Sequence, residues 1–90
     1  MYKELTEEKK SNLIQVMSEE LPALRAKAGL SQDEIANIIG ISRQSFNLIE
    51  LNKTKMTWRT CSALLMYFSL NKDTSNLMRM FGLFLDEKDV

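Results

Sequence analysis

Histidine is absent from this sequence, cysteine and proline occur once each, and glycine occurs only three times in 90 residues. Each scarcity excludes something. Without histidine the commonest general base is missing, and the lone Cys61 has no imidazole to activate it as a nucleophile. A single cysteine forms no internal disulfide and builds no multi-cysteine metal site. Gly29, Gly40 and Gly82 stand far apart, so there is no glycine-rich phosphate loop. The expectation is therefore not an enzyme, with no catalytic residue, no cofactor and no metal ligand to assign. No apolar run approaches the roughly 20 residues of a membrane span. The opening MYKELTEEKK lacks the apolar stretch of a signal peptide. A cytoplasmic protein with no membrane partner is expected. Net charge is lacking too, since twelve Lys+Arg balance twelve Asp+Glu. That balance rules out an indiscriminate polycation but leaves room for a local basic patch.

What is present is a folding composition, 44% apolar and 27% charged, in a length that accommodates one domain spanning residues 1–90. So few turn residues, and no clean alternation of apolar with polar residues, predict an all-α chain. Leu13, Met17, Leu21, Leu24 and Ala28 are spaced by three or four and line one helical face. Thr6 or Ser11 can cap that helix, and Gly29 ends it. Pro22 interrupts the pattern, and Ser18 followed by Glu19 and Glu20 offers a fresh N-cap in front of it. Residues 6–28 are thus one kinked helix or two consecutive ones. Ser31-Gln32-Asp33-Glu34 reads as a capping box opening a short helix with Ile35, Ala36 and Ile39 inward and Gly40 as its breaker. Ser42 caps another short helix carrying Phe46 and Ile49, and Asn52 suits a left-handed turn after it. Thr57 caps a fourth, whose stripe is Trp58, Cys61, Leu64, Leu65 and Phe68, with Trp58 and Cys61 read as core. Asn71 and Lys72 mark a turn before a last helix assigned to residues 75–85.

Two short serine-capped helices meeting at Gly40 form a helix-turn-helix pattern. The residues Leu24-Arg25, Ala28-Gly29-Leu30-Ser31-Gln32, Glu34-Ile35-Ala36, Gly40-Ile41-Ser42-Arg43 and Glu50 resemble the Cro/C1-type (XRE, lambda-repressor-like) helix-turn-helix family over about residues 21–70. The resemblance implies a bundle of about five helices, with a core over 18–70, an N-terminal helical extension over 6–17 and an added apolar C-terminal helix. It also implies binding to double-stranded DNA, with the third helix, residues 42–50, in the major groove. Carried onto this chain, it assigns DNA contacts to Gln32, Arg43, Gln44, Asn47, Leu48, Lys53 and Lys55. Two positions depart from the family pattern, Leu51-Asn52 after the glutamate and Met56-Thr57 before the fourth helix. Asn52 and Thr57 can still turn and cap, whereas Leu51 and Leu48 make the outward face less polar.

Side-chain chemistry points the same way. Arginine can pair bidentately with guanine O6 and N7, and glutamine with adenine N6 and N7. Residues 42–60 carry a net charge of +3, against −2 over residues 1–20, zero over 21–41 and −1 over 61–90. Positive charge is concentrated where DNA would lie. The plainer alternative for Arg43, Gln44 and Gln32 is a solvated helix surface. Glu50 reads as structural, paired with Arg25, rather than as a DNA ligand.

Between Ser75 and Leu85, apolar residues crowd more densely than one buried face of a small domain absorbs. The reading is a homodimer through this C-terminal apolar helix, and the alternative is packing back onto Leu13 and Met17. The functional expectation is a small sequence-specific transcriptional regulator, a repressor. The alternative is an antitoxin-like or other protein-interaction module, with a partner such as a toxin and weak or no DNA binding.

Overall fold

In a computed structural model, which describes residues 5–85, the chain is a bundle of five helices. They are α1 (Glu7–Ala28), α2 (Gln32–Ile39), α3 (Arg43–Glu50), α4 (Trp58–Leu70) and α5 (Ser75–Met80), and there is no strand among the described residues. The first four are opened by the hydroxyls expected to cap them. Thr6, Ser31, Ser42 and Thr57 each accept a hydrogen bond from the backbone N–H three residues on.

Pro22 does not divide α1. The helix runs through it unbroken, and Ser18 lies inside it, donating its hydroxyl to the Ile14 carbonyl at 2.7 Å. The reason is energetic. An internal proline costs a helix about 3 kcal/mol, whereas burying one large apolar side chain returns about 1.5–3 kcal/mol. Leu13, Met17, Leu21 and Leu24 are all fully buried on the face that crosses the proline, and Pro22 itself is exposed. The extension and the core therefore share one helix and one hydrophobic cluster.

Gly40 takes φ +80° in the α2–α3 turn, where a side chain would be strained, and the N–H groups of Gly40 and Ile41 close back onto Asn37 and Ala36. Asn52 adopts φ +60° after α3, as its side chain tolerates. The last helix is shorter than the sequence suggests, ending at Met80 rather than continuing to Leu85. Gly82, at φ +74°, stops it by the same glycine closure, with Leu83 N–H returning to Met78 O at 2.8 Å. The apolar run beyond it continues to bury side chains without being helical.

α1 packs on α4 and α3, α2 on α3 and α4, and α5 on α4. One cluster of buried side chains joins them, from Leu13 and Met17 through Ile35, Phe46, Leu64 and Phe68 to Met78 and Leu83. Trp58 is half-buried, with the Lys10 ammonium 5.8 Å from its ring centre. Cys61 is fully buried, and that burial pushes its thiol pKa up to about 12. Thr74 is fully buried at the start of α5, and its hydroxyl donates to Phe68 O at 2.7 Å, tying α5 to the end of α4. No helix among the described residues is long and apolar enough to cross a membrane.

Candidate nucleic-acid interface

α3 is short because Ser42 and Asn52 bound it, and amphipathic because its residues alternate at helical spacing. Phe46 and Ile49 point into the core, while Arg43, Gln44, Ser45 and Leu48 are exposed and Asn47 is half-buried. Arg43 with Asn47, and Gln44 with Leu48, stand four residues apart and form two adjacent rows on the outer face. The Ser42 hydroxyl accepts from Ser45 N–H at 3.0 Å and donates to the Ser45 hydroxyl at 2.9 Å, which keeps the first turn closed.

Behind this face lies a polar clamp. Arg25, near the end of α1, presents a fork to Glu50 at the end of α3, Nε to Oε2 at 2.8 Å and Nη2 to Oε1 at 3.1 Å. Its Nη1 donates to Leu30 O at 3.1 Å, so one guanidinium ties α3, α1 and the loop before α2. Gln32, the first residue of α2, uses its amide nitrogen twice, donating to Glu50 Oε1 at 2.7 Å and to Asn47 Oδ1 at 3.0 Å. The Glu50 side chain is only 8% exposed and that of Arg25 26%, so the pair is shielded enough for its geometry to matter. No buried side-chain polar atom among the described residues lacks a partner.

α2 is set by its own cap. Ser31 N–H donates to Glu34 Oε1 at 2.9 Å, and Glu34 N–H donates to Ser31 Oγ at 3.1 Å. The Ser31 backbone amide first, and its hydroxyl second, hold the Glu34 carboxyl below the usual carboxylate range. Because Gln32 directly follows this cap, the start of α2 is fixed beside the outer face of α3.

Of the seven residues assigned from sequence, five meet on one side of the molecule. Arg43, Gln44 and Leu48 are open, and Gln32 and Asn47 are joined to each other and half-buried. Lys53 and Lys55 follow in the loop after α3 and are exposed, with no carboxylate partner among the described residues. Lys55 also borders a polar groove shared with Ser11, Gln15 and Ser18 of α1. The pairing of Arg25 with Glu50 is as the sequence suggests. The link from Gln32 to Glu50 and Asn47 is not readable there, because a side-chain bond across 15 or 18 residues leaves no local pattern. Among the described residues no group of three or more metal-ligating side chains comes together.

A second surface falls only partly within the residues assigned from sequence, since Phe84 and Leu85 belong to the apolar 75–85 segment while Ile38, Met66 and Leu70 do not. Met66 and Leu70 of α4 are 67% and 81% exposed and lie near exposed Ile38, Phe84 and Leu85. Its signal was a second apolar pair at i, i+4, off the inward stripe of α4. Compared with family models, with curated proteins and with solved structures, the chain has no match.

Proposed function

We propose that the protein is a sequence-specific DNA-binding regulator of transcription, a repressor of the Cro/C1 helix-turn-helix kind, that lays the outer face of α3 in the major groove. The observation that carries this reading is the contrast across α3. Its outward residues Arg43, Gln44 and Leu48 are free and exposed, while its inward side is held by two core side chains and by the Arg25–Glu50–Gln32–Asn47 clamp. A reading helix needs both, because base contacts reward only a helix held in one pose.

Arg43 is suited to guanine O6 and N7, and Gln44 to adenine N6 and N7, each good pair contributing about 1–3 kcal/mol of discrimination. Leu48 offers an apolar surface for a thymine methyl group. Gln32 spends both amide hydrogens inside the protein, so its part is to hold Asn47 in place beside Arg43 and Gln44. Lys53 and Lys55 supply phosphate contacts that set register without reading sequence. A two-fold dimer would present two such helices about 34–36 Å apart, one helical turn of DNA.

A second reading has its own observation. Leu48, 41% exposed, and the more exposed Leu51 give the outer face of α3 an apolar edge, which suits a protein-interaction module of the antitoxin type. The two readings part on one experiment. Incubation of the protein with a randomised duplex pool, with recovery and sequencing of the bound fraction, is expected to enrich a shared motif of paired half-sites. Recovery without any shared motif would reject sequence-specific recognition and favour the interaction module.

A further inference from the structure

We infer that the outer side of α4 is a self-association surface on which a second copy of this chain docks about a two-fold axis. The inference deepens the dimeric part of the proposal above and rests on it, but it centres the interface on α4 and keeps only Phe84 and Leu85 of the 75–85 segment expected from the sequence.

α4 buries Cys61, Leu64, Leu65 and Phe68 on one side, which leaves Met66 and Leu70 as an i, i+4 ridge on the other. A groove runs along each flank of this ridge. One is walled by Ile38 and Ile39 of α2, the other by Phe84 and Leu85 beyond α5, and both share Met66 and Leu70. No residue lining either groove carries a charge. Ile38, Met66, Leu70, Phe84 and Leu85 together expose on the order of 500 Å², the upper range for a monomer's largest patch. Two copies would together cover at most about 1,000 Å², the small end of biological interfaces, which fits a weak, reversible dimer.

The shape selects the occupant. A ridge between two grooves is complementary to itself. A two-fold axis beside Leu70 lets the ridge of each copy enter a groove of the other, the interdigitation that packs helix on helix. The two grooves bring no like charges together when they meet their own copy, Arg79 standing at the edge beside Phe84 and Leu85, and the chain as a whole has no net charge to oppose pairing. α5 is the poorer candidate. Met78 is buried, Leu77 is half-buried, and Met80 is the one large apolar side chain that the helix leaves exposed.

Light scattering after size exclusion, run over a range of loading concentrations, compares the full chain with Leu70→Glu, Met66→Glu and Met80→Glu, with circular dichroism reporting the fold of each. The expected result is a concentration-dependent dimer, weakened at least tenfold by Leu70→Glu and by Met66→Glu and unchanged by Met80→Glu. A second measurement does not depend on a charged substitution folding. With an added oxidant, Leu70→Cys should form a covalent dimer readily and Met80→Cys should not, the native Cys61 being buried. A chain that stays monomeric throughout would overturn both the dimer and its surface. A dimer that survives Leu70→Glu and is lost in Met80→Glu would overturn the surface alone and return the interface to α5.

Discussion

Arg25 and Glu50 stand 25 residues apart in sequence and meet as a two-bonded pair, 2.8 and 3.1 Å, at the ends of α1 and α3. The pair fixes the C-terminal end of α3 while Phe46 and Ile49 fix its inner side, and Gln32 extends the same carboxylate's reach to Asn47. α3 is therefore attached to the scaffold at its inner side and its end, which leaves Arg43, Gln44 and Leu48 exposed.

Removing one member of the pair should cost more than removing both. Arg25→Ala leaves Glu50 largely shielded without its cation, and a loss of about 2–3 kcal/mol in denaturant-derived stability is expected. Arg25→Met with Glu50→Leu should recover part of that loss, because no charge is then stranded. Urea unfolding of the single and double variants measures the difference. Equal losses in both would show that leaving Glu50 without its cation carries no penalty beyond the loss of the pair itself.

Arg43 and the loop lysines should separate into two classes. Arg43→Ala is expected to lower affinity for an enriched duplex by about 1–3 kcal/mol while leaving scrambled DNA nearly unaffected. Lys55→Ala is expected to weaken both duplexes alike and to reduce the slope of log affinity against log salt by about one. Fluorescence anisotropy at several salt concentrations reads both effects. A silent Arg43→Ala would remove it from the reading face.

Leu48 should register the thymine methyl group. Replacing thymine by deoxyuridine within the enriched half-site is expected to weaken the native protein several-fold and to leave Leu48→Ala almost unchanged. If both proteins respond equally to the missing methyl, Leu48 is not what senses it.

Cys61 should be inert in the native state. Its thiol ionises at about 12 in the folded chain against an ordinary 9.0, because burial disfavours the thiolate. Between those values the unfolded chain has lost a proton that the folded one keeps, so stability falls as pH rises from 9 toward 12. Below pH 9 this group contributes no pH dependence. Thiol labelling at neutral pH is expected to follow global unfolding, and Cys61→Ala should shed the part of the alkaline decline that Cys61 causes. Rapid labelling of the folded protein would contradict the burial.

The elements that local chemistry governs were legible in the sequence. The hydroxyl caps at Thr6, Ser31, Ser42 and Thr57, the glycine closure at Gly40 and the left-handed Asn52 each depend on residues within a turn of one another. Four of the five residues of the first apolar stripe are buried as its spacing implies, and Ala28 is half-buried. What was not legible depends on tertiary contact. Whether Pro22 splits α1 is decided by side chains that bury on both sides of it. The last helix ends at Met80 because Gly82 turns the chain, although the apolar run continues past it and Leu83 is still buried. Of the crowded residues between Ser75 and Leu85, Met78 and Leu83 join the same cluster as Leu13 and Met17, and Phe84 and Leu85 stay exposed. On α4 an apolar residue on the outer side reads in sequence like one on the inner side, which hid Met66 and Leu70. The clamp on Glu50 was half visible, through Arg25 and not through Gln32.

DNA recognition by α3 is tested by an amide-shift map of the nitrogen-15-labelled protein as a duplex of about 20 base pairs is added at low salt. Shifts are expected to concentrate at Gln32, Arg43, Gln44, Asn47 and Leu48, and at Lys53 and Lys55 in the following loop, with the Met66–Leu70 side of α4 undisturbed by the DNA itself. Shifts absent from α3 and its loop, or gathered instead around Ile38, Met66 and Leu70, would contradict the claim that the outer face of α3 reads DNA.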